Sequence, residues 1–168
     1  QDLAALTSDQ WAAFTTAQIQ SLSAAQFGSI ETRDLVGLTT EQIQALTTEQ
    51  LDALGTSQVA ALDTDQVVAL TTDQVQSLST TSLRALTSDQ IEALDSDQLA
   101  ALTSDQFQSL TNAQVAALTS DQLDAFTPDQ LSTFTTGQFN ALTSDQIESL
   151  STTQVAGIDT DQIHALTA

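Results

Sequence analysis

Apolar and polar positions follow one pattern that repeats every eight residues along this chain. In the copy at residues 143–150, Thr-Ser-Asp-Gln-Ile-Glu-Ser-Leu, position 1 is Thr143, position 4 is Gln146, and positions 5 and 8 are Ile147 and Leu150. Positions 5 and 8 are large and apolar in every copy, position 7 is small, and position 6 varies freely. Apolar spacings of three and five residues favour a helix over a strand, whose period is two.

The only proline of the chain sets the phase of this repeat. Pro128 fits the first position of a helix, where a missing N–H costs nothing, and Thr127 before it fits the N-cap. Gln130 has the spacing of a capping box, and Phe126 and Leu131 have the spacing of a hydrophobic staple. Each octad therefore predicts one helix that starts after position 1 and is at most about two turns long.

The columns of the repeat have few exceptions. Position 1 is Ser, Thr, Asp or Gly from Thr7 to Thr167, with Glu31 as the exception, and these types are favoured at N-caps. Position 4 is glutamine from Gln10 to Gln162, except at Asp34 and Ser82. The uniformly small position 7 predicts a point of close approach between backbones.

The pattern predicts an all-α solenoid, a superhelix of one- to two-turn helices with one helix per octad. Helices this short persist only if neighbours bury their apolar sides. The position-5 aromatics Trp11, Phe27, Phe107 and Phe139 differ by multiples of sixteen, which favours two octads per superhelical turn. A β-solenoid is the alternative, but the polar cluster lacks the residues that tight hairpins need. We expect residues 1–168 to be a single octapeptide-repeat solenoid without linkers, and a fragment of a longer array.

Charge and composition exclude several classes of function. The net charge is −20, with only Arg33 and Arg84 as basic residues, so nucleic acid and anionic lipid lack partners for their phosphates. The absence of cysteine excludes disulfides and thiolate metal sites. No stretch has the length and hydropathy of a membrane span, so no membrane insertion is expected.

The Ala-Leu-Thr-Ser-Asp-Gln sequence at residues 117–122, found with Asp95 in place of the threonine at residues 93–98, resembles the octapeptide arrays of very large repetitive proteins of Gram-negative bacteria. Those proteins are secreted or surface-attached, adhesin-like polypeptides, often labelled hemolysin- or hemagglutinin-like. The resemblance covers nearly the whole chain. It implies an extracellular or cell-surface location and a spacer role, and it implies no catalytic residue.

Two polar columns of the repeat are candidates for binding. One is an acidic column at position 3, where the carboxylates favour the helix N-terminus and, in the alternative, form a calcium ladder. Its members are Asp9, Glu41, Glu49, Asp65, Asp73, Asp89, Asp97, Asp105, Asp121, Asp129, Asp145 and Asp161. The other is a hydroxyl row at position 2, which serves helix starts and solvation or, in the alternative, recognises an ordered surface such as ice or a glycan. Its members include Thr40, Thr48, Thr56, Thr64, Thr72, Thr80, Ser88, Ser96 and Ser104.

Single residues add no chemistry to these columns. Arg33 and Arg84 lie near the two departures at position 4. Either these arginines pair with neighbouring carboxylates, or the departures are random sequence drift. His164 has no histidine or cysteine companion in the sequence, so neither a metal site nor a catalytic triad is expected. Trp11 occupies a core position, with a partner anchor as the alternative. We therefore predict no catalytic, cofactor-binding or metal residue and no enzyme.

The function that follows is a structural spacer or stalk, because every constant column serves folding. The alternative is an acidic binding module for calcium, for a basic partner or, as a charge mimic of DNA, for a DNA-binding protein. The expected partners are neighbouring repeats of the parent chain, together with end-to-end self-stacking through the apolar faces exposed at the ends.

Overall fold

The computed structural model describes residues 3–166, and all regular structure within them is helical. A 3₁₀ helix spans Leu3–Ala5 and is followed by one short α-helix in each octad. The α-helices are α1 (Ser8–Ala12), α2 (Thr16–Ser21), α3 (Ala24–Phe27), α4 (Thr32–Leu35), α5 (Thr40–Gln44), α6 (Thr48–Asp52), α7 (Thr56–Val59), α8 (Thr64–Val68), α9 (Thr72–Ser77), α10 (Thr80–Ala85), α11 (Ser88–Ala93), α12 (Ser96–Ala100), α13 (Ser104–Ser109), α14 (Asn112–Ala117), α15 (Ser120–Asp124), α16 (Pro128–Ser132), α17 (Thr136–Ala141), α18 (Ser144–Ser149), α19 (Thr152–Gly157) and α20 (Thr160–Leu166). The predicted all-α solenoid with one helix per octad is confirmed.

Each helix starts where the sequence places its cap. At α16, Thr127 has extended backbone (φ −69°, ψ 155°) and Pro128 is the first helical residue. The Thr127 hydroxyl accepts a bond from the N–H of Gln130 at 3.2 Å, and the Gln130 Oε1 accepts from the N–H of Thr127 at 2.9 Å. Both halves of this capping box recur in most octads. At Gly55, which has no side chain to accept, only the glutamine half is formed, and Glu31 makes no side-chain cap bond.

Positions 5 and 8 form one continuous apolar core along the array. Position-5 residues such as Ile43, Leu83 and Val115 are fully buried, and position-8 residues such as Leu46 and Leu118 are nearly so. No octad has a core of its own, because each apolar pair is covered by residues of neighbouring octads. This is how repeat proteins acquire stability, through interfaces between adjacent units.

The coil contains between three and four octads per turn, so the prediction of two octads per turn was wrong. The helix pairs in extensive contact are all three octads apart, such as α11 with α14 and α16 with α19. Hydrogen bonds also join helices four octads apart, such as α5 with α1. The sixteen-residue spacing of the aromatics gave the wrong number of octads per turn. Position-5 side chains are buried alike in successive octads, so an aromatic ring at position 5 does not mark one side of the coil. Phe107 packs instead against the position-8 rings of Phe126 and Phe134, at centroid distances of 4.9 and 6.0 Å.

The small residue at position 7 lies where two coils approach each other most closely. A Cβ placed on Gly37 would lie 2.7 Å from the Cβ of Ser8, and one on Gly157 would lie 2.7 Å from the Cβ of Pro128. In both pairs, position 7 packs against position 2 of the helix three octads earlier. The predicted close approach at this column is therefore present, and it joins successive coils.

Candidate functional site

The glutamine at position 4 uses both ends of its side chain amide. In α14, the Gln114 Oε1 accepts a bond from the N–H of the cap residue Thr111 at 2.9 Å. Its Nε2 donates to the carbonyls of Leu83 and Leu86 at 2.8 and 2.9 Å, in the helix four octads earlier. One buried side chain therefore caps the start of its own helix and the end of another.

This double contact recurs from Gln42 to Gln162, except at Ser82, and we call it the glutamine lock. Each Nε2 donates to a carbonyl 28, 30 or 31 residues earlier in the chain. The glutamines that form the lock are Gln42, Gln50, Gln58, Gln66, Gln74, Gln90, Gln98, Gln106, Gln114, Gln122, Gln130, Gln138, Gln146, Gln154 and Gln162.

The glutamine lock provides hydrogen-bond donors for the carbonyls at the ends of the short helices. The last carbonyls of a helix lack partners, and many helices satisfy them with a residue of positive φ after the end. Within residues 3–166, no residue has positive φ. The carbonyls at the helix ends are instead satisfied by amides from the next coil, so capping and coil stacking are the same interaction.

Sequence reasoning assigned only the capping box to this glutamine and missed its second contact. The sequence did contain a signal for the second contact. Glutamate and glutamine can both form a capping box, so a column that contains the amide and never glutamate indicates a further role for the amide group. The chain contains 22 acidic residues, yet glutamate never stands at position 4. Only glutamine combines an acceptor for the cap N–H with a donor for the carbonyls of the coil below.

Asp34 is the first departure from the lock. Its side chain is buried, and its Oδ2 has no hydrogen-bond partner among the described residues. Its Oδ1 accepts a bond from the Ser8 hydroxyl at 3.4 Å and lies 3.7 Å from the Arg33 Nε, which pairs with Glu31 at 3.1 Å. The suggested pairing of an arginine with carboxylates is therefore present at Arg33. Ser8, Arg33 and Asp34 border an open cleft of about 300 Å³ at the first coil.

Ser82 is the second departure and leaves helix-end carbonyls without an amide. Its hydroxyl lies 2.9 Å from the hydroxyl of Ser79, which accepts from the Ser82 N–H at 3.1 Å. The repeat places the carbonyls of Leu51 and Leu54 opposite Ser82, and no side chain in the described range donates to them. An open depression lined by Thr48, Glu49, Asp52, Ser77 and Ser79 adjoins this position. Arg84 is exposed and forms no ion pair with any described residue.

Restoring the lock at this octad is expected to stabilise the protein. In Ser82→Gln, a glutamine fills the buried site and donates to two carbonyls, which adds about 1–2 kcal/mol to the free energy of unfolding. Urea unfolding followed by circular dichroism measures the change. Ser82→Ala removes the hydroxyl without adding a donor, so it is the matched control and brings no gain. A glutamine variant less stable than the parent chain would contradict the lock.

The residues of the acidic column lie exposed, each at the second residue of its helix. The pKa of Glu41 is below its ordinary value, first because its own backbone N–H donates to the carboxylate and then because of the Thr39 hydroxyl. The same causes, with Thr47, lower the pKa of Glu49. Among residues 3–166, no three acidic, histidine or cysteine side chains come together as metal ligands. Each carboxylate of the column lies at the N-terminus of its own helix, which is the favourable end for negative charge.

The other candidate residues have separate positions. The nine hydroxyl residues of position 2 from Thr40 to Ser104 are solvent-exposed, apart from the half-buried Ser96. His164 is exposed on α20. Trp11 is buried against Phe14 with centroids 5.3 Å apart, and its indole N–H has no hydrogen-bond partner among the described residues. Trp11 thus belongs to the core, as predicted. None of the helices between residues 3 and 166 combines the length and hydropathy that crossing a bilayer requires.

Comparison with known proteins identifies the repeat. The family model described as the ALTTAQ repeat matches residues 27–64, 53–80, 75–104, 100–136 and 134–168. These matches overlap and together reach from residue 27 to residue 168 without a break. No curated protein and no solved structure matches the chain. Because the matches cover most of its length, the chain belongs to the ALTTAQ repeat family.

Proposed function

We propose that this array is a structural spacer, a stalk within a bacterial secreted or cell-surface protein, without catalytic activity of its own. The observation that carries the proposal is the glutamine lock, because it assigns the most constant polar side chain of the repeat to coil stacking. Positions 5 and 8 form the core, position 7 allows close approach, and position 1 caps the helix. No constant column is left for chemistry.

The range of the contacts supports a rod-like unit. The side-chain hydrogen bonds of residues 3–166 span at most 31 residues, so each octad interacts only with octads up to four places away. In such a quasi-one-dimensional array, adding octads adds length and leaves existing interfaces unchanged. The net charge of −20 keeps the surface of the rod soluble and self-repelling.

A distance measurement between two labelled octads tests the spacer role. Ala12 and Asn140 are exposed residues at position 6, sixteen octads apart, and the chain has no cysteine of its own. We expect nitroxide labels at Ala12→Cys and Asn140→Cys to give one narrow distance by pulsed electron paramagnetic resonance. Removal of residues 87–118 deletes four octads in phase, slightly more than one coil. The distance should shorten by about 10 Å, the separation of packed helices.

An unchanged distance after the deletion, or a broad distribution in the full chain, would overturn the spacer role. The acidic binding module stays an alternative without a specific observation in its favour, since exposed carboxylates at helix N-termini serve folding and solubility equally well.

A further inference from the structure

Asp34 is the one buried charged side chain among the described residues, and one of its oxygens has no partner. The residue is 2 % exposed. Its Oδ1 accepts a bond from the Ser8 hydroxyl at 3.4 Å, whereas no group within residues 3–166 donates to its Oδ2. Leaving a buried carboxylate oxygen without a donor is costly, and native proteins normally provide one. The arrangement therefore points to a donor that belongs to another molecule.

The register of the repeat shows which groups face this oxygen. In the octads with the glutamine lock, position 4 lies against the carbonyls 28 and 31 residues earlier, as Gln66 does at 2.8 and 3.0 Å. For Asp34 these are the carbonyls of Leu6 and Leu3, and Leu6 borders the same cleft as Asp34. No side chain in the described range donates to either carbonyl. The lock reaches back no further than 31 residues, so residues 3–38 contain all the groups of this site.

The charge around the cleft favours a cation with a single charge. Glu31 and Asp34 are acidic, and the Arg33 Nε lies 3.1 Å from Glu31 and 3.7 Å from the Oδ1 of Asp34. Two carboxylates and one guanidinium leave a net charge of −1. One positive charge balances it, whereas a divalent cation would leave an excess beside Arg33. Calcium also needs six to eight oxygens, which this site does not assemble.

We propose that the cleft at Asp34 binds a primary ammonium group, the charged end of a lysine side chain on another polypeptide. In the lock, an amide nitrogen donates two N–H groups to two carbonyls. Asp34 has a shorter side chain without a donor, so its Oδ2 adds a third acceptor to that pair of carbonyls. An ammonium group has three N–H donors and one positive charge, and it matches the three acceptors in both respects. The chain contains no lysine, so the group comes from another molecule.

The surroundings of the cleft suit a lysine side chain. The cleft is open and has a volume of about 300 Å³, and Ala5 and Leu6 line it beside Asp34. The methylene groups of a lysine can lie over this apolar part while the ammonium group reaches the oxygens. The net charge of −20 also attracts a basic polypeptide from a distance, which raises the rate of encounter.

Titration with methylammonium chloride, followed by ¹H–¹⁵N correlation NMR, tests the site. Tetramethylammonium chloride keeps the ionic strength constant, since it has the same charge and no N–H donor. The backbone amide signals of Leu6, Ser8 and Asp34 should shift saturably, whereas those of residues 111–118 should not. Two non-hydrogen atoms limit the Kd to no tighter than about 5 mM.

A lysine derivative tests the source of the ammonium group. Nα-acetyl-lysine methylamide should bind more tightly than methylammonium, by about fourfold for each methylene group that it buries. The same compound with an acetylated side-chain nitrogen should not shift these signals, because acetylation removes the charge.

Two variants separate this site from general attraction to an acidic chain. Asp34→Gln removes the carboxylate and supplies the residue that other octads have at position 4. It should abolish binding and leave the circular dichroism spectrum unchanged, with a Tm at or above that of the parent chain. Glu41→Gln removes one exposed carboxylate in the next octad, so it is the matched control and should bind methylammonium like the parent chain.

Three results would overturn the proposal. The first is a parent chain without saturable shifts, which would leave only water at Oδ2. The second is binding by Asp34→Gln that equals binding by the parent chain. The third is an equal shift of the same signals with potassium chloride, which would assign the site to a metal ion. The spacer distance does not involve this cleft, so the two proposals can fail separately.

Discussion

Gln114→Glu is expected to lower the free energy of unfolding by about 3–5 kcal/mol at pH 7, because it leaves a buried charge without a partner. Gln114 is 2 % exposed, and its Nε2 donates to the carbonyls of Leu83 and Leu86. Glutamate retains an oxygen for the N–H of Thr111 but turns a second oxygen toward those two carbonyls. Two hydrogen bonds are then replaced by contacts between acceptors, in a site that water does not reach.

The pH dependence of the free energy of unfolding of Gln114→Glu tests whether the buried charge causes the loss of stability. Burial and the facing carbonyls raise the pKa of the introduced carboxyl above its unfolded value of about 4.3. The loss of stability is therefore largest above the folded pKa, decreases as pH falls from the folded to the unfolded pKa, and is smallest below the unfolded pKa, where the protonated acid again donates a bond. Urea unfolding of the variant and the parent chain measures the difference in their free energies of unfolding at pH 7 and at pH 4.

Gln18→Glu is the matched control for this experiment. Gln18 forms the same capping contact with Thr15 but is exposed, and no described carbonyl faces its Nε2. The change should cost less than about 0.5 kcal/mol at pH 7, as is usual for exposed sites. Equal costs at the two positions would show that capping alone accounts for the glutamine column.

Phe107→Ala is expected to cost about 3–5 kcal/mol, the range for removal of a fully buried aromatic ring. Phe107 is 0 % exposed and lies edge-on to Phe126, with an interplanar angle of 84°. It also contacts Phe134. Phe126 and Phe134 lie two and three octads after Phe107. In a one-dimensional array, the cavity left by Phe107→Ala weakens this coil interface and cannot be filled from a wider core. Thermal and urea unfolding measure the loss.

Phe107→Leu keeps most of the buried volume and should cost less than about 1.5 kcal/mol, which separates lost volume from lost ring contacts. A small effect of the alanine variant would mean that position 5 is not the core of the array.

Much of this architecture is already determined by local sequence. The sequence Phe-Thr-Pro-Asp-Gln-Leu at residues 126–131 contains a cap, a first-turn proline and a capping glutamine, and α16 begins at Pro128 as predicted. The same local logic places the start of each following helix, because capping depends only on residues within one turn. The spacing of large and small residues likewise determines which side of each helix is buried.

The number of octads per turn and the second contact of the glutamines were decided by the tertiary structure. Gln42 donates to the carbonyls of Trp11 and Phe14, which lie 31 and 28 residues earlier. Nothing within one octad specifies that separation, because every octad offers nearly the same side chains to any neighbour. The separation follows from how the coils pack, with position 7 against position 2 and amides against helix-end carbonyls. The sequence by itself thus determined where each helix begins and which face it buries, since those depend on neighbouring residues. Only the stacked coils decided which octads meet, since that depends on packing between helices more than twenty residues apart.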